Sequence, residues 1–255
     1  MHYPKKSLGQ NFLIDKNIAK KIVNLINNIE NNNIIEIGPG KGALTDIIIE
    51  KKPKKLFLIE KDNYYYKQLS EKYKNIKFVK VFNDDALSFN FNKITKPKSI
   101  VSNLPYNISI KLIIDWLNQI NNYKEIIVMI QKEVAEKMNY KNSKKKNRLN
   151  VLAEICSDFK IEFTVSKNVF FPRPKILSSV ISIKPKKKIL KNTKDFENFT
   201  RKLFRNKRKK IINVLHSKDI ENLRIKEVKD KKKYIELINL RAEDLSIEDI
   251  LNLYK

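Results

Sequence analysis

Glycine constrains this chain more than any other residue: there are four glycines in 255 residues, and all stand before position 43. Average usage would place roughly 18 in this length. Three of them fall within five positions, in Glu36-Ile37-Gly38-Pro39-Gly40-Lys41-Gly42. A chain that does without glycine elsewhere keeps it where a Cβ is not tolerated, in a sharp turn or where backbone must approach a ligand. The apolar run Ile34–Ile37 ahead of the cluster reads as a short buried strand. Behind it, Ala43, Leu44, Ile47 and Ile48 follow helical spacing. A strand, a glycine turn and a helix in this order open a nucleotide-binding α/β sheet. A tight structural turn is the plain alternative.

The alternation continues. Leu56–Glu60, Phe78–Phe82, Ser99–Ser102 and Ile126–Ile130 read as further strands, with helical patterns over Tyr64–Tyr73 and Ser109–Ile120. Residues 5–15 read as a polar loop, and Ile18, Ile22, Leu25, Ile26 and Ile29 mark an amphipathic helix after it. Strands and helices in turn predict an α/β fold with a doubly wound, mostly parallel sheet. Phe159–Val165 and Ser178–Ile183 supply two later strands around the loop Phe170-Phe171-Pro172-Arg173-Pro174. Lys184-Pro185-Lys186-Lys187-Lys188 reads as a linker. Only helical patterns follow it, over Phe196–Phe204, Lys210–Leu215 and Ile247–Leu253. The expected domains are therefore 1–186, Rossmann-like, and 187–255, small and all-α.

Composition narrows the setting. No run of about 18 apolar residues exists, so no membrane span is expected. No apolar stretch follows Met1–Lys6, which speaks against a secretory signal. One cysteine, Cys156, leaves no internal disulfide and fits a reducing, cytoplasmic location. The net charge of +26 calls for an anionic partner such as RNA, DNA or an acidic membrane surface. Abundant Lys, Asn and Ile together account for part of that excess as compositional bias. In Arg205-Asn206-Lys207-Arg208-Lys209-Lys210 the charge concentrates. Arg205, Lys207, Arg208 and Lys209 are the candidate RNA contacts there, with a solvated helix face as the alternative.

Three carboxylates qualify the glycine loop. Glu60 ends the second strand, 22 residues past Gly38. A carboxylate there can accept both ribose hydroxyls of a nucleoside, in a nicotinamide enzyme as well as in others. Asp85 ends the third strand and can pair with an adenine amino group, or cap the segment after it. Glu36 stands beside the glycines, where a pyrophosphate would be repelled and an ammonium group welcomed. That favours S-adenosylmethionine over a nicotinamide dinucleotide. No metal site is expected.

Asn103-Leu104-Pro105-Tyr106 ends the fourth strand, next to the methyl donor this predicts. An adenine N6 lone pair is delocalised into the ring and is a weak nucleophile. An amide oxygen from Asn103 and the Leu104 carbonyl can accept its two N–H bonds and stabilise the positive charge that develops on nitrogen. Pro105 fixes the backbone angle that aims the carbonyl, and Tyr106 can stack on an extruded base. No general base is required, which suits a chain whose histidines are His2 and His216. Phe170 is the candidate second stacking face, or else a core aromatic.

With these residues in place, the chain resembles the KsgA-type small-subunit rRNA adenine N6,N6-dimethyltransferases nearly end to end. The resemblance rests on Lys6–Leu13, Glu36–Thr45, Asn103–Ser109, Gln131–Val134, Phe170–Val180 and Arg241–Ser246. It implies that Asn11 and Leu13 cover the donor, alongside Gly38, Glu60, Asp85 and Asn103; Gly40, in the same glycine loop, is a further donor-site candidate. It also implies two methylations at each of two adjacent adenines of 16S rRNA, within the small ribosomal subunit; the chain is expected to act as a monomer. The chain departs from the family where a Tyr-Gly pair often precedes Arg148-Leu149: here Lys146-Asn147 stand there. Large-subunit (23S) rRNA adenine dimethyltransferases share the glycine loop and the Asn-x-Pro-Tyr element. The Lys6–Gln10 arm and Arg241–Ser246 favour the small-subunit branch. A non-catalytic RNA-binding or assembly factor would suit the charge but needs neither the donor loop nor the tetrapeptide.

Overall fold

The computed structural model describes residues 4–5, 8–140, 145–187, 190, 192–206, 208–214 and 231–254. In chain order its strands are β1 (Phe12–Leu13), β2 (Asn33–Ile37), β3 (Lys55–Glu60), β4 (Val79–Asn83), β5 (Lys98–Asn103) and β6 (Glu125–Gln131). Then come β7 (Ser157–Val165), β8 (Phe170–Phe171) and β9 (Ser178–Pro185). The helices are α1 (Lys16–Val23), α2 (Ala43–Glu50), α3 (Asn63–Tyr73), α4 (Tyr106–Leu117), α5 (Lys132–Met138) and α6 (Arg148–Cys156). They continue with α7 (Thr193–Leu203), α8 (Lys231–Ile238) and α9 (Ile247–Tyr254).

Seven strands form one sheet in the order β4-β3-β2-β5-β6-β9-β7. The five from β2 to β6 run parallel, and β9 lies antiparallel to β6. The strands that the sequence predicts are all present. All five residues of β2 are buried, as expected for a strand covered on both faces. Successive strands step outward from β2 through β3 to β4, then return to its other side at β5. That reversal is the topological switch point, and it opens a crevice past the carboxyl ends of β2 and β5.

Two differences from expectation bear on the site. The polar loop of residues 5–15 contains β1, which pairs antiparallel with β8, bringing Phe12 opposite Phe171 and Leu13 opposite Phe170. The helix expected through Ile29 ends at Val23, and Asn28 stands in the left-handed region at φ 49°. Asp15 caps its start, accepting from the backbone N–H of Asn17 and Ile18 at 2.8 and 3.0 Å.

The chain divides into two compact units, residues 1–135 with 158–185 and residues 136–157 with 186–255. The second unit thus begins one residue before the expected boundary at 186/187 and also takes in residues 136–157. The reason is packing: α6 lies against α7, and Arg148 of α6 pairs with Glu197 of α7. The Lys146-Asn147 departure also acquires a role here. Asn147 is the N-cap of α6, accepting from Leu149 and Asn150, while Asn150 accepts from the Asn147 N–H in return. Cys156 is buried and free, and burial pushes its thiol up to about 11.

Candidate active site at the carboxyl edge of the sheet

A cavity of about 1100 Å³, its mouth included, occupies the crevice at the switch point. Its wall is built from strand ends and the turns after them. Gly38, Gly40 and Gly42 all have positive φ, at 60°, 54° and 86°. Gly40 has a second constraint. A Cβ there would lie 2.7 Å from the Phe12 ring, so β1 closes over this turn only because the position is glycine.

Glu60 reaches the same turn from the end of β3. One of its carboxylate oxygens accepts the Gly40 N–H at 3.0 Å, and the other accepts the Asp62 N–H at 2.8 Å. Burial still raises its pKa above the ordinary carboxylate value. Each oxygen keeps a further lone pair for a ribose hydroxyl. Asp85 lines the cavity from the end of β4. It accepts from the Leu87 N–H at 2.9 Å and pairs with Lys61 at 2.8 Å, which holds its pKa low. Asp85 is thus both a local turn-former and a wall residue.

Glu36, in β2, is 2% exposed and lines the cavity. Thr45 Oγ1 donates to it at 2.7 Å, yet burial dominates and pushes its pKa up to about 8. A cation brought beside it would restore the charged form, so the position suits the ammonium of an amino-acid moiety.

On the other side stands Asn103, the last residue of β5. Its Nδ2 donates to the Asn11 carbonyl at 2.9 Å. Because that partner can only accept, the amide orientation is fixed and Oδ1 is left as the acceptor. Leu104 is buried, and its N–H donates to the Met129 carbonyl at 3.1 Å. Pro105 is the N-cap of α4, so this helix begins at Tyr106, three residues before the predicted start at Ser109. Pro105 also packs 3.8 Å from where a Gly38 Cβ would stand. The Tyr106 hydroxyl shares a hydrogen bond with Ser178 Oγ at 2.7 Å, which fixes the ring at the cavity wall.

The structure therefore gathers Asn11, Leu13, Gly38, Gly40, Glu60, Asp85 and Asn103 through Tyr106 around one cavity. Phe170 is not among them. It is 3% exposed and sits with Leu13 in the hydrophobic core, so in this geometry it offers no face to a base. The reason is strand alternation: β8 turns Phe170 inward and Phe171 outward. In the second unit, Arg205, Arg208 and Lys209 are exposed, while Lys207 lies outside the described residues.

Asp62 is a site residue that the sequence reading missed. Its side chain is 1% exposed, caps α3 through the Tyr64 N–H, and takes Gln10 Nε2 at 3.1 Å and Lys5 Nζ at 3.2 Å. It ties the N-terminal arm to the turn after β3. Only a pairing of residues 52 and 57 positions apart reveals this, and no local pattern encodes it.

Comparison with known proteins shows the family. The model of the family described as "Ribosomal RNA adenine dimethylase" matches residues 1–255. A protein of Wolbachia sp. subsp. Drosophila simulans (strain wRi) named "Ribosomal RNA small subunit methyltransferase A" is 42% identical over 221 residues, covering 84% of this chain and 80% of that one. A protein of the same name from Mycoplasmopsis synoviae (strain 53) is 38% identical over 253 residues, covering 98% and 95%. Among solved structures, a dimethyladenosine transferase from Plasmodium falciparum superposes with a TM-score of 0.76 at 23% identity, covering 95% of each chain. At that identity the superposition speaks for the fold. Among the described residues no helix is long and apolar enough to cross a membrane, and no cluster of metal-ligating side chains occurs.

Proposed function

The chain belongs to the ribosomal RNA adenine dimethylase family, S-adenosylmethionine-dependent methyltransferases, and we propose that it transfers methyl groups to N6 of two adjacent adenines of 16S rRNA in the small ribosomal subunit. The observation that carries this reading is the Asn103 amide, held with its oxygen free at the end of β5 beside a glycine-walled nucleoside cavity. The relatives' names supply the small subunit.

S-adenosylmethionine, when bound, supplies an electrophilic methyl group on a sulfonium. The chain's own residues do the rest. Gly38 and Gly40 admit the nucleoside to the backbone, Glu60 accepts its ribose hydroxyls, and Asp85 accepts its adenine amino group. Glu36 faces the ammonium. Asn11 and Leu13 cover the donor from the arm. Opposite, Asn103 Oδ1 and the Leu104 carbonyl accept the two N–H bonds of the target amine. They pull its lone pair out of the ring as the nitrogen becomes tetrahedral, and they stabilise the charge that forms there. Tyr106 stacks on the flipped base. The exposed Arg205, Arg208 and Lys209, together with Lys207, serve the second unit, residues 187–255 above all, as phosphate contacts that select the RNA by shape. The working location is the cytoplasm, and the protein acts as a monomer.

The test is incubation with labelled S-adenosylmethionine and immature small subunits, followed by mapping of the modified adenines. Label at two adjacent adenines of 16S rRNA is expected. Label confined to large-subunit RNA would transfer the assignment to the 23S branch.

A further inference from the structure

We propose that Phe171, with Lys41 beside it, is a stacking platform for the nucleotide adjacent to the adenine being methylated. This rests on the reading above, that the cavity receives a flipped adenine of single-stranded RNA.

The β1–β8 ribbon has two faces. Leu13 and Phe170, directly paired, point into the core and are 5% and 3% exposed. Phe12 and Phe171, the next pair, share the opposite face, as direct cross-strand partners must. Phe12 lies on the cavity wall against Gly40. Phe171 continues that aromatic surface outward and is 56% exposed. Lys41 joins the two, its Nζ 5.3 Å from the Phe12 ring centroid and 5.8 Å from that of Phe171. Phe171 is therefore the exposed aromatic of this ribbon, paired directly with a residue of the cavity wall.

The surroundings specify the partner. From Phe171 to Leu177 the chain contains no acidic residue, and Arg173, Lys175, Ile176 and Leu177 are exposed with it. The loop ends at Ser178, whose hydroxyl holds Tyr106 at the target-base position. An exposed ring with Lys41 beside it, paired with the wall residue Phe12 and followed in the chain by the exposed Arg173 and Lys175, suits a nucleobase attached to its phosphates. There is also a thermodynamic reason for such a platform. Flipping one base out of a strand deprives its neighbour of a stacking partner, and an aromatic side chain restores that contact without reading sequence.

The test uses the full chain and immature small subunits, with KM for the subunit, KM for S-adenosylmethionine and Tm measured for each variant. Phe171→Ala is expected to raise the subunit KM on the order of tenfold, with the cofactor KM and Tm near wild type. Phe171→Trp should restore it, and Phe171→Leu should not. A wild-type subunit KM in Phe171→Ala overturns the platform. So does full rescue by leucine, which would mean apolar cover rather than stacking. A rise in cofactor KM equal to that in subunit KM also overturns it, placing the ring in the donor site. If wild-type protein labels no small-subunit RNA, the underlying reading fails, and the platform with it.

Discussion

The two walls of the cavity are made of different material. The donor wall is backbone: Gly38 and Gly40 at positive φ, and Glu60 held by two main-chain N–H groups from Gly40 and Asp62. Once β2 and β3 are paired, it has little freedom left. The acceptor wall is side chain, held by contacts from distant parts of the chain. Asn103 is fixed by the carbonyl of Asn11, 92 residues away, and Tyr106 by Ser178, 72 residues away. The donor wall is thus set by the sheet, whereas the acceptor wall is complete only when the N-terminal arm and the loop before β9 are both in place. Binding of the nucleoside and aiming of the target amine are separable properties, and substitutions should separate them.

Asn103→Ala should give the largest effect. It removes the Oδ1 acceptor at the reacting nitrogen and the tether to Asn11 together. Loss of one preorganised partner of a developing charge lowers turnover on the order of 100- to 1000-fold. Phosphate contacts lie elsewhere, so RNA affinity should stay close to wild type in a filter-binding assay. Turnover within a few-fold of wild type would show that the acceptor wall does not depend on this amide.

Asp62→Asn tests the arm itself, with a smaller effect. Asparagine still caps α3 through the Tyr64 N–H, so the helix is kept. The charge that meets Lys5 is gone. Gln10 cannot turn its amide to compensate, because its own oxygen already accepts the Lys5 N–H at 2.7 Å. Charge-assisted contacts of this kind contribute roughly 1.5–3 kcal/mol when well formed, less where Lys5 is half exposed. The expected outcome is a rise of about five- to tenfold in KM for S-adenosylmethionine, with Tm little changed. Gln10→Ala should behave alike, and the double variant should be no worse than the single ones. Additive losses would mean that Asp62 and Gln10 act independently and that no latch exists.

The same contrast explains what could be read from the sequence. The donor wall was legible because its rules are local: a glycine cluster after an apolar run, a carboxylate at each of the next two strand ends. The seven strands of the sheet were legible for the same reason, each carrying its own local pattern of apolar residues, a run or an alternation. The acceptor wall was legible only at Asn103–Tyr106, where the residues are contiguous. The β1–β8 ribbon was not, because two-residue strands have no period to detect. With the ribbon unseen, nothing could tell Phe170 from Phe171. One pairing register decides which of the two is core and which is exposed. Residues 136–157 joined the second unit for a similar reason, since the contact of α6 with α7 bridges some forty positions that carry no shared pattern.

Glu36 offers the finest discrimination, because it belongs to the donor wall yet is held by a side chain. Burial raises its pKa to about 8, against an ordinary carboxylate value of 4.5. Between those two values the folded chain holds a proton that the unfolded chain has released. The folded state therefore binds more protons, and stability must fall as pH rises across this window. Glu36→Gln carries no titrating group and keeps an oxygen that can accept from Thr45. Its Tm should lack this component, so that the wild type loses a few degrees relative to the variant between pH 5 and pH 8. Saturating S-adenosylmethionine should reduce that difference. An ammonium beside Glu36 stabilises the charged form, so the bound protein no longer holds the extra proton. Parallel Tm profiles for the two proteins without cofactor would mean that Glu36 is already ionised in the folded chain. A pH-dependent gap that the cofactor leaves untouched would mean that the ammonium binds elsewhere, and that Glu36 braces the turn through Thr45 instead.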